Sequence, residues 1–231
     1  MYLREAIAKI AGFRYMIDHL EIHSGLGRSS LLDRVWLEDA KQIKAELERV
    51  EKMVRVVRDS RNQVVLERLK VKLSQVKDIR GTVKRLKEPV VLDDLELFEL
   101  KNLAFVAEDI REIIKDYPVV DIPCLGNLVD LLDPEQNRIP HFYIYDSYSE
   151  KLSALRAEIK QKKREGREER EIENLYFQSL EEEDRVRAEL TLQIRMLREE
   201  IAETLRAVAY LDILLLSLIH ISEPTRRTPI S

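Results

Sequence analysis

The sequence predicts an all-α fold: long helices forming a core bundle, an antiparallel coiled-coil hairpin in the C-terminal third, and one small strand-containing segment near residues 139–146. Three observations predict it. Apolar residues recur at steps of three and four along most of the 231 residues, the spacing that lines one face of a helix. Asp, Glu, Lys and Arg make up 35% of the chain, and only 6 residues are glycine, a bias towards long solvated helices rather than a compact α/β enzyme. Aromatic residues are 6%, with Trp36 the single tryptophan, so the core is expected to be built from Leu, Ile, Val and Ala.

The first helix is expected along Leu3, Ile7, Ile10, Phe13, Ile17 and Leu20. The segment Ser24-Gly-Leu-Gly-Arg28 then reads as a helix C-cap and turn, followed by a short helix through Leu31, Leu32, Val35 and Trp36. Ile43, Leu47, Val50, Val54 and Val57 form a 4-3-4-3 heptad stripe. Asp59-Ser60 reads as a break with a helix start. Val65, Leu69, Leu73, Val76, Val83 and Leu86 predict another long helix, ended by Pro89. Asp93 or Asp94 can cap the next helix, which runs through Leu97, Leu100, Leu103, Val106, Ile110 and Ile113 to Tyr117-Pro118.

Residues 119–146 differ. They hold three of the seven prolines, a short apolar run at 128–132, and the one convincing strand, Phe142-Tyr-Ile-Tyr145; this reads as a compact knot between two helical regions. Beyond Ser147, Leu152, Leu155 and Ile159 resume the helical pattern, and residues 160–170 are almost wholly charged. Val186, Leu190, Ile194, Leu197, Ile201, Leu205 and Val208 mark a returning helix. Two heptad-like arms around a polar middle predict a helical hairpin. The expected organisation is a helical core over 1–148, the hairpin over 149–208, a return to the core over 209–215 and a tail over 216–231.

Two segments carry no function. Glu173-Asn-Leu-Tyr-Phe-Gln-Ser179 matches the recognition sequence of tobacco etch virus protease; it stands either as an engineered site or as a chance match, since charged helix-compatible sequence runs into and out of it. Leu216 to Arg226, LSLIHISEPTR, matches the in-frame translation of a transposase adapter used in sequencing libraries. The tail is therefore set aside, His220 with it, and the natural protein is expected to continue past Leu215.

The formal net charge of −4 argues against a simple polyanion-binding module, which would be basic. The single cysteine, Cys124, excludes an intrachain disulfide and a cysteine metal cluster, and a reducing cytoplasm is the expected compartment. Charged residues from Arg4 onward speak against a signal peptide, and the apolar run Leu211 to Ile221 is too short to span a bilayer.

Candidate chemistry is sparse. His19 and His23 stand four apart and could share a helical face, as metal-ligating pairs do, but HLEIH lacks the glutamate beside the first histidine that hydrolytic zinc motifs carry, and a third ligand is missing. Cys124 with His141 is a conceivable nucleophile and base, with no oxyanion hole or orienting group in evidence; a small packed residue is the plainer reading of the cysteine. No glycine-rich phosphate loop followed by Lys and Ser/Thr is present. The chain is expected to lack a catalytic site, a metal and a cofactor of its own. The strongest local positive charge is Lys160, Lys162, Lys163, Arg164, Arg167 and Arg170. Such residues can neutralise phosphates along a duplex, although Glu165, Glu168, Glu169, Glu171 and Glu173 interleave with them as in ordinary solvent-facing helices.

The order of segments resembles the MutS family of mismatch-repair ATPases, in a divergent bacterial branch. SGLGRSSLLDRVWL (24–37) is similar to the Gly-Arg turn and Leu-rich helix opening the family's core, and IKAELERVEKMVRVVR (43–58) to the helix after it. VKDIRGTVKRL (76–86) resembles a further core helix, with Ile79-Arg80 where relatives often have Leu-Glu, and LLDPEQNRIPHFYIYDSYSEKLSALR (131–156) resembles the re-entry into the core before the clamp arm. The resemblance covers roughly residues 24–215. It implies lever helices to about Tyr117, a clamp from about Ser149 to Val208 whose tip touches the backbone of double-stranded or branched DNA, and phosphate contacts at Lys162, Lys163, Arg164 and Arg167. It implies an ATPase domain with ATP and Mg beyond this chain, and a homodimer at full length. The family's mismatch-reading Phe-x-Glu is missing, since no Phe is followed by x-Glu, which puts mismatch specificity in doubt. The rival readings are a coiled-coil scaffold that contacts only protein, supported by the acidic charge balance, and a small metalloenzyme using His19 and His23.

Overall fold

A computed structural model of the chain describes residues 1–117, 119–166 and 168–222, with the backbone alone at 11 and 216–222. Among the described residues there are eleven α-helices and no sheet, so the all-α class holds. The chain divides into two compact units. The first comprises Met1–Asp78, Val106–Cys124 and the chain from Ala202 on; the second comprises Ile79–Phe105 and Leu125–Ile201. Residues 149–201 fall in the second unit with residues 79–105 and 125–148.

The first unit begins with α1 (Leu3–Lys9) and α2 (Ala11–Asp18), where the periodicity predicts one helix. Ile10 takes extended backbone (φ −124°, ψ 103°) and splits the stripe; Gly12, a weak helix former, lies just past the break. The Ser24–Arg28 segment also departs from its reading as a C-cap. Ser24 instead starts α3 (Gly25–Leu32), its hydroxyl accepting the Gly27 N–H at 2.8 Å, an N-cap bond. The helix ends at Leu32, and Val35 and Trp36 are not helical: Tyr2 and Val35 form an antiparallel bridge, with Leu3 N–H donating to the Arg34 carbonyl and Trp36 N–H to that of Met1.

α4 (Ala40–Arg58) is capped by Asp39. Its packed face is not the predicted heptad stripe: Leu47 is 61% exposed while Met53 is 2% exposed. Glu46, on the Met53 side, accepts from Tyr210 at 2.7 Å and from Arg34 at 2.9 Å, which turns the stripe outward. A 3-10 turn (Ser60–Asn62) leads into α5 (Gln63–Ser74). The long helix expected over 65–86 is two: non-helical backbone around 76–79 separates α5 from α6 (Arg80–Arg85). Val76 and Ile79 are buried within that break, so core packing takes the place of helix continuity.

α7 (Asp94–Ile113) contains the division between units. Asp93 and Glu96 cap it reciprocally: Asp93 accepts the Glu96 N–H at 2.8 Å and Glu96 accepts the Asp93 N–H at 3.1 Å, a capping box built with Asp. In the second unit α7 buries Leu97, Leu100, Leu103 and Ala104, and in the first unit Val106, Ala107 and Ile110. α8 (Gly126–Leu132) buries Leu128 and Leu132. The expected strand at 142–145 is extended backbone without a β partner. The carbonyl of Ile144 accepts from Arg156 at 2.8 Å, and that of Tyr145 from the N–H of Tyr148 in the 3-10 turn Asp146–Tyr148. α9 (Glu150–Glu165), α10 (Glu169–Met196) and α11 (Arg198–Ser222) complete the chain.

α11 buries Leu205, Val208, Leu211, Leu214 and Leu215 in the first unit. There Asp212, fully buried, accepts the Ser24 N–H at 2.9 Å, the Ser24 hydroxyl at 2.5 Å and the His23 N–H at 3.2 Å. A carboxylate thus sits at the positive end of α3. Gly27 is required by that approach: a Cβ there would stand 2.9 Å from Asp212 Cγ, and closer still to Oδ2. Among the described residues no helix is long and apolar enough to cross a membrane.

Candidate nucleic-acid interface

The hairpin is built by local rules. The Ser149 hydroxyl accepts the Leu152 N–H at 3.2 Å and starts α9, while the same hydroxyl donates to Glu182 of α10 at 2.8 Å. Gly166 ends α9 at φ 65°, its N–H bonded to the last-turn carbonyls; a left-handed C-cap favours glycine. Leu152 and Leu155 of α9 are buried, as are Val186 and Leu190 of α10. Lys162, Lys163 and Arg164 fall in the last turn of α9, and Glu169 and Glu171 in the first turn of α10, so each helix end carries the charge that its dipole favours.

Of the residues singled out in the sequence, Lys162 is committed to the hairpin itself. Its ammonium lies 3.2 Å from Glu171 across the turn and 3.4 Å from Glu158 one helical turn back. The Glu171 carboxylate, with Glu158 behind it, holds the Lys162 pKa above its ordinary value. Lys163 and Arg164 are exposed, and neither has an acidic partner among the described residues. Arg167 lies outside the described residues. Lys160 joins Lys163 and Arg164, since positions 160, 163 and 164 share a helix flank and Lys160 is equally exposed. Glu158 and Glu165, seven apart, lie on another flank with Lys162 between them. The tip is therefore mixed in composition yet segregated around α9: one flank basic, the other carrying the acids.

The base of the arm holds the groups that sequence reading missed. Lys101, in α7, is 1% exposed. Its ammonium donates to Asp133 Oδ1 and to the Tyr145 hydroxyl, both at 2.9 Å, and to the His141 carbonyl at 3.4 Å. Asp133 also accepts the Arg138 N–H at 2.9 Å. The Tyr148 hydroxyl donates to the Leu131 carbonyl at 2.7 Å, and burial pushes its pKa up. One signal was available: a lone lysine four residues after Leu97, on the buried phase of the α7 stripe.

No protein-family model and no curated protein matches the chain. The remaining candidates are placed as follows. α2 ends at Asp18, so His19 and His23 do not share a helical face. His19 stacks on Tyr15 with ring centroids 3.9 Å apart, and the Nδ1 of His23 lies 3.1 Å from the Glu21 carbonyl. No group of three or more His, Cys, Asp or Glu among the described residues is placed to hold a metal ion. Cys124 is exposed, and His141 stacks on Tyr143.

Proposed function

We propose that the hairpin is an arm that contacts the phosphate backbone of DNA, and that the chain is the lever and clamp portion of a MutS-related ATPase acting in DNA repair or recombination. The observation that carries this reading is the exposed basic flank of α9, Lys160, Lys163 and Arg164, free of the acidic partners that occupy Lys162. Three cations within five residues span about 6 Å of helix, close to the separation of neighbouring phosphates on one strand, and such contacts bind without reading sequence. The segment resemblance adds the expectation of a full-length homodimer and of ATP and Mg in a domain that follows.

A second reading has its own support. The Lys162 pairs and the dipole-matched charges are what any solvated hairpin would display, so a coiled-coil scaffold that contacts only protein is the alternative. Binding of a fluorescent duplex and a branched junction by the whole chain separates the two. The proposal expects binding at low salt that is lost in the Lys160→Glu/Lys163→Glu/Arg164→Glu variant. No binding by either protein while folded favours the scaffold, and equal binding by both removes the basic flank as the contact.

A further inference from the structure

We propose that Arg156 and Arg187 are positioning residues, two pins that fix the angle at which the arm leaves its base through the alternating chain Asp146, Arg156, Glu183, Arg187, Asp94. The inference takes its functional meaning from the arm reading above, but its physical content stands without DNA.

Arg156 is on α9. One end of its guanidinium donates to the Ile144 carbonyl at 2.8 Å and to the Asp146 carboxylate, and the other to Glu183 at 2.8 Å. Arg187 is on α10. Its Nε and one terminal nitrogen grip Asp94, the first residue of α7, at 2.7 and 3.1 Å. Its remaining bonds run to Asp184 at 2.7 Å and to Glu183 at 3.4 Å. α9 is thereby tied to the knot, α10 to the start of α7, and Glu183 joins the two ties. A bidentate guanidinium–carboxylate pair restricts direction as well as distance. The side chains of Arg187 and Glu183 are each 18% exposed, so salt screens them less than it screens a surface pair.

Burial of Leu152 and Leu155 on α9 and of Val186 and Leu190 on α10 is non-directional; it permits a hinge that the pins close. Beyond Arg156 the arm bonds to itself: Lys162 to Glu171, Gln178 to Asn174 and Ser179 to the Tyr176 carbonyl. The stretch from Arg156 to the end of α9 is about 13 Å long, so a rotation of about 20° at the root carries the basic flank roughly 2–4 Å sideways, up to more than half of one phosphate spacing. Thr191, which accepts the Leu92 N–H at 3.0 Å, keeps the arm attached when the pins are removed.

The test is a pulsed electron spin resonance distance between labels at Leu95→Cys and Glu173→Cys in the whole chain carrying Cys124→Ser, without DNA. Leu95 is 61% exposed and Glu173 is exposed. One narrow distance is expected in this background. Arg156→Met/Arg187→Met, which keeps most of the aliphatic stems, is expected to broaden or shift it by several ångström with helix content unchanged. An unchanged distribution in the folded double variant overturns the proposal. If the double variant loses helix content, unchanged distributions in both folded single variants overturn it equally. Failure of the DNA experiment leaves this result standing, and the reverse also holds.

Discussion

Replacing Lys101 by alanine tests what holds the base of the arm together. Lys101 and Asp133 have side chains 1% exposed and lie 2.9 Å apart, and all three ammonium hydrogens have acceptors in Asp133, Tyr145 and the His141 carbonyl. Truncation removes the cation and leaves the Asp133 carboxylate in the interior with the Arg138 N–H as its described donor. Breaking one side of a buried pair typically costs about 3–5 kcal/mol, against a total stability of about 5–15 kcal/mol for a domain. The pair as a whole is a different matter. Desolvation of two charges offsets much of their attraction, so exchanging both for apolar residues of similar volume is expected to be neutral or stabilising by about 1–4 kcal/mol. Lys101→Ala should therefore lose a substantial share of the stability of the second unit, and Lys101→Met/Asp133→Leu should keep it. The assay is urea unfolding followed by amide hydrogen exchange in α8 and the second-unit part of α7, which reports this unit directly. A loss below about 1 kcal/mol for Lys101→Ala, well short of the range for a broken buried pair, would refute the reasoning. Equal losses for the single and the double variant would refute it as well.

Three further predictions come from other sites. Gly27→Ala forces a methyl group against Asp212 and should cost about 1–3 kcal/mol as an overpacking change, read by thermal unfolding with Gly25→Ala, whose Cβ meets nothing within 4 Å, as the control; a Gly27→Ala variant as stable as that control would contradict the close approach. Asp59, whose pKa the Arg61 side chain and N–H draw down to about 2, should titrate near that value by carboxyl NMR and rise part of the way towards the ordinary carboxylate range in Arg61→Ala, which keeps the N–H; because its folded pKa is depressed, its stabilising contribution is present above the unfolded carboxylate range and lost as pH falls through about 2. Residues 173–179 lie inside α10, with Ser179 3% exposed, so tobacco etch virus protease, which needs an extended substrate, should leave the folded protein uncut and cleave after Gln178 once mild urea opens the hairpin; rapid cleavage without denaturant would mean that this part of α10 is not stably helical.

Much of the fold was legible because helices are written locally. The Asp93–Glu96 cap, Ser149 before α9 and Gly166 after it are read from a few neighbouring residues, and the stripes of α7, α9 and α10 identify their buried faces. The failures share one cause, contacts distant in sequence. The glycines of α3 read as a turn because their use depends on Asp212, 188 residues beyond Ser24. The α4 stripe reads as a core seam, yet Tyr210 and Arg34 draw Glu46 inward and turn Leu47 out. The breaks at Ile10 and around 76–79 carry no proline, and only Gly12 and Gly81 shortly after them hint at weakness. At the candidate site the sequence pointed to the last turn of α9, but it could not separate Lys162 from Lys163 and Arg164. That distinction depends on Glu171 reaching across the hairpin.

The measurement that bears most directly on the arm reading is the salt dependence of duplex binding. Three phosphates neutralised by Lys160, Lys163 and Arg164, at about −0.9 each, predict a slope near −2.7 for log K against log salt per arm on B-form DNA. Removing Lys163 alone should shallow that slope by about 0.9 without changing preference between duplex sequences, while Lys162→Gln should leave the slope where it was. Binding whose slope ignores Lys163 and responds to Lys162, or a folded protein that does not bind duplex at low salt, would contradict the account.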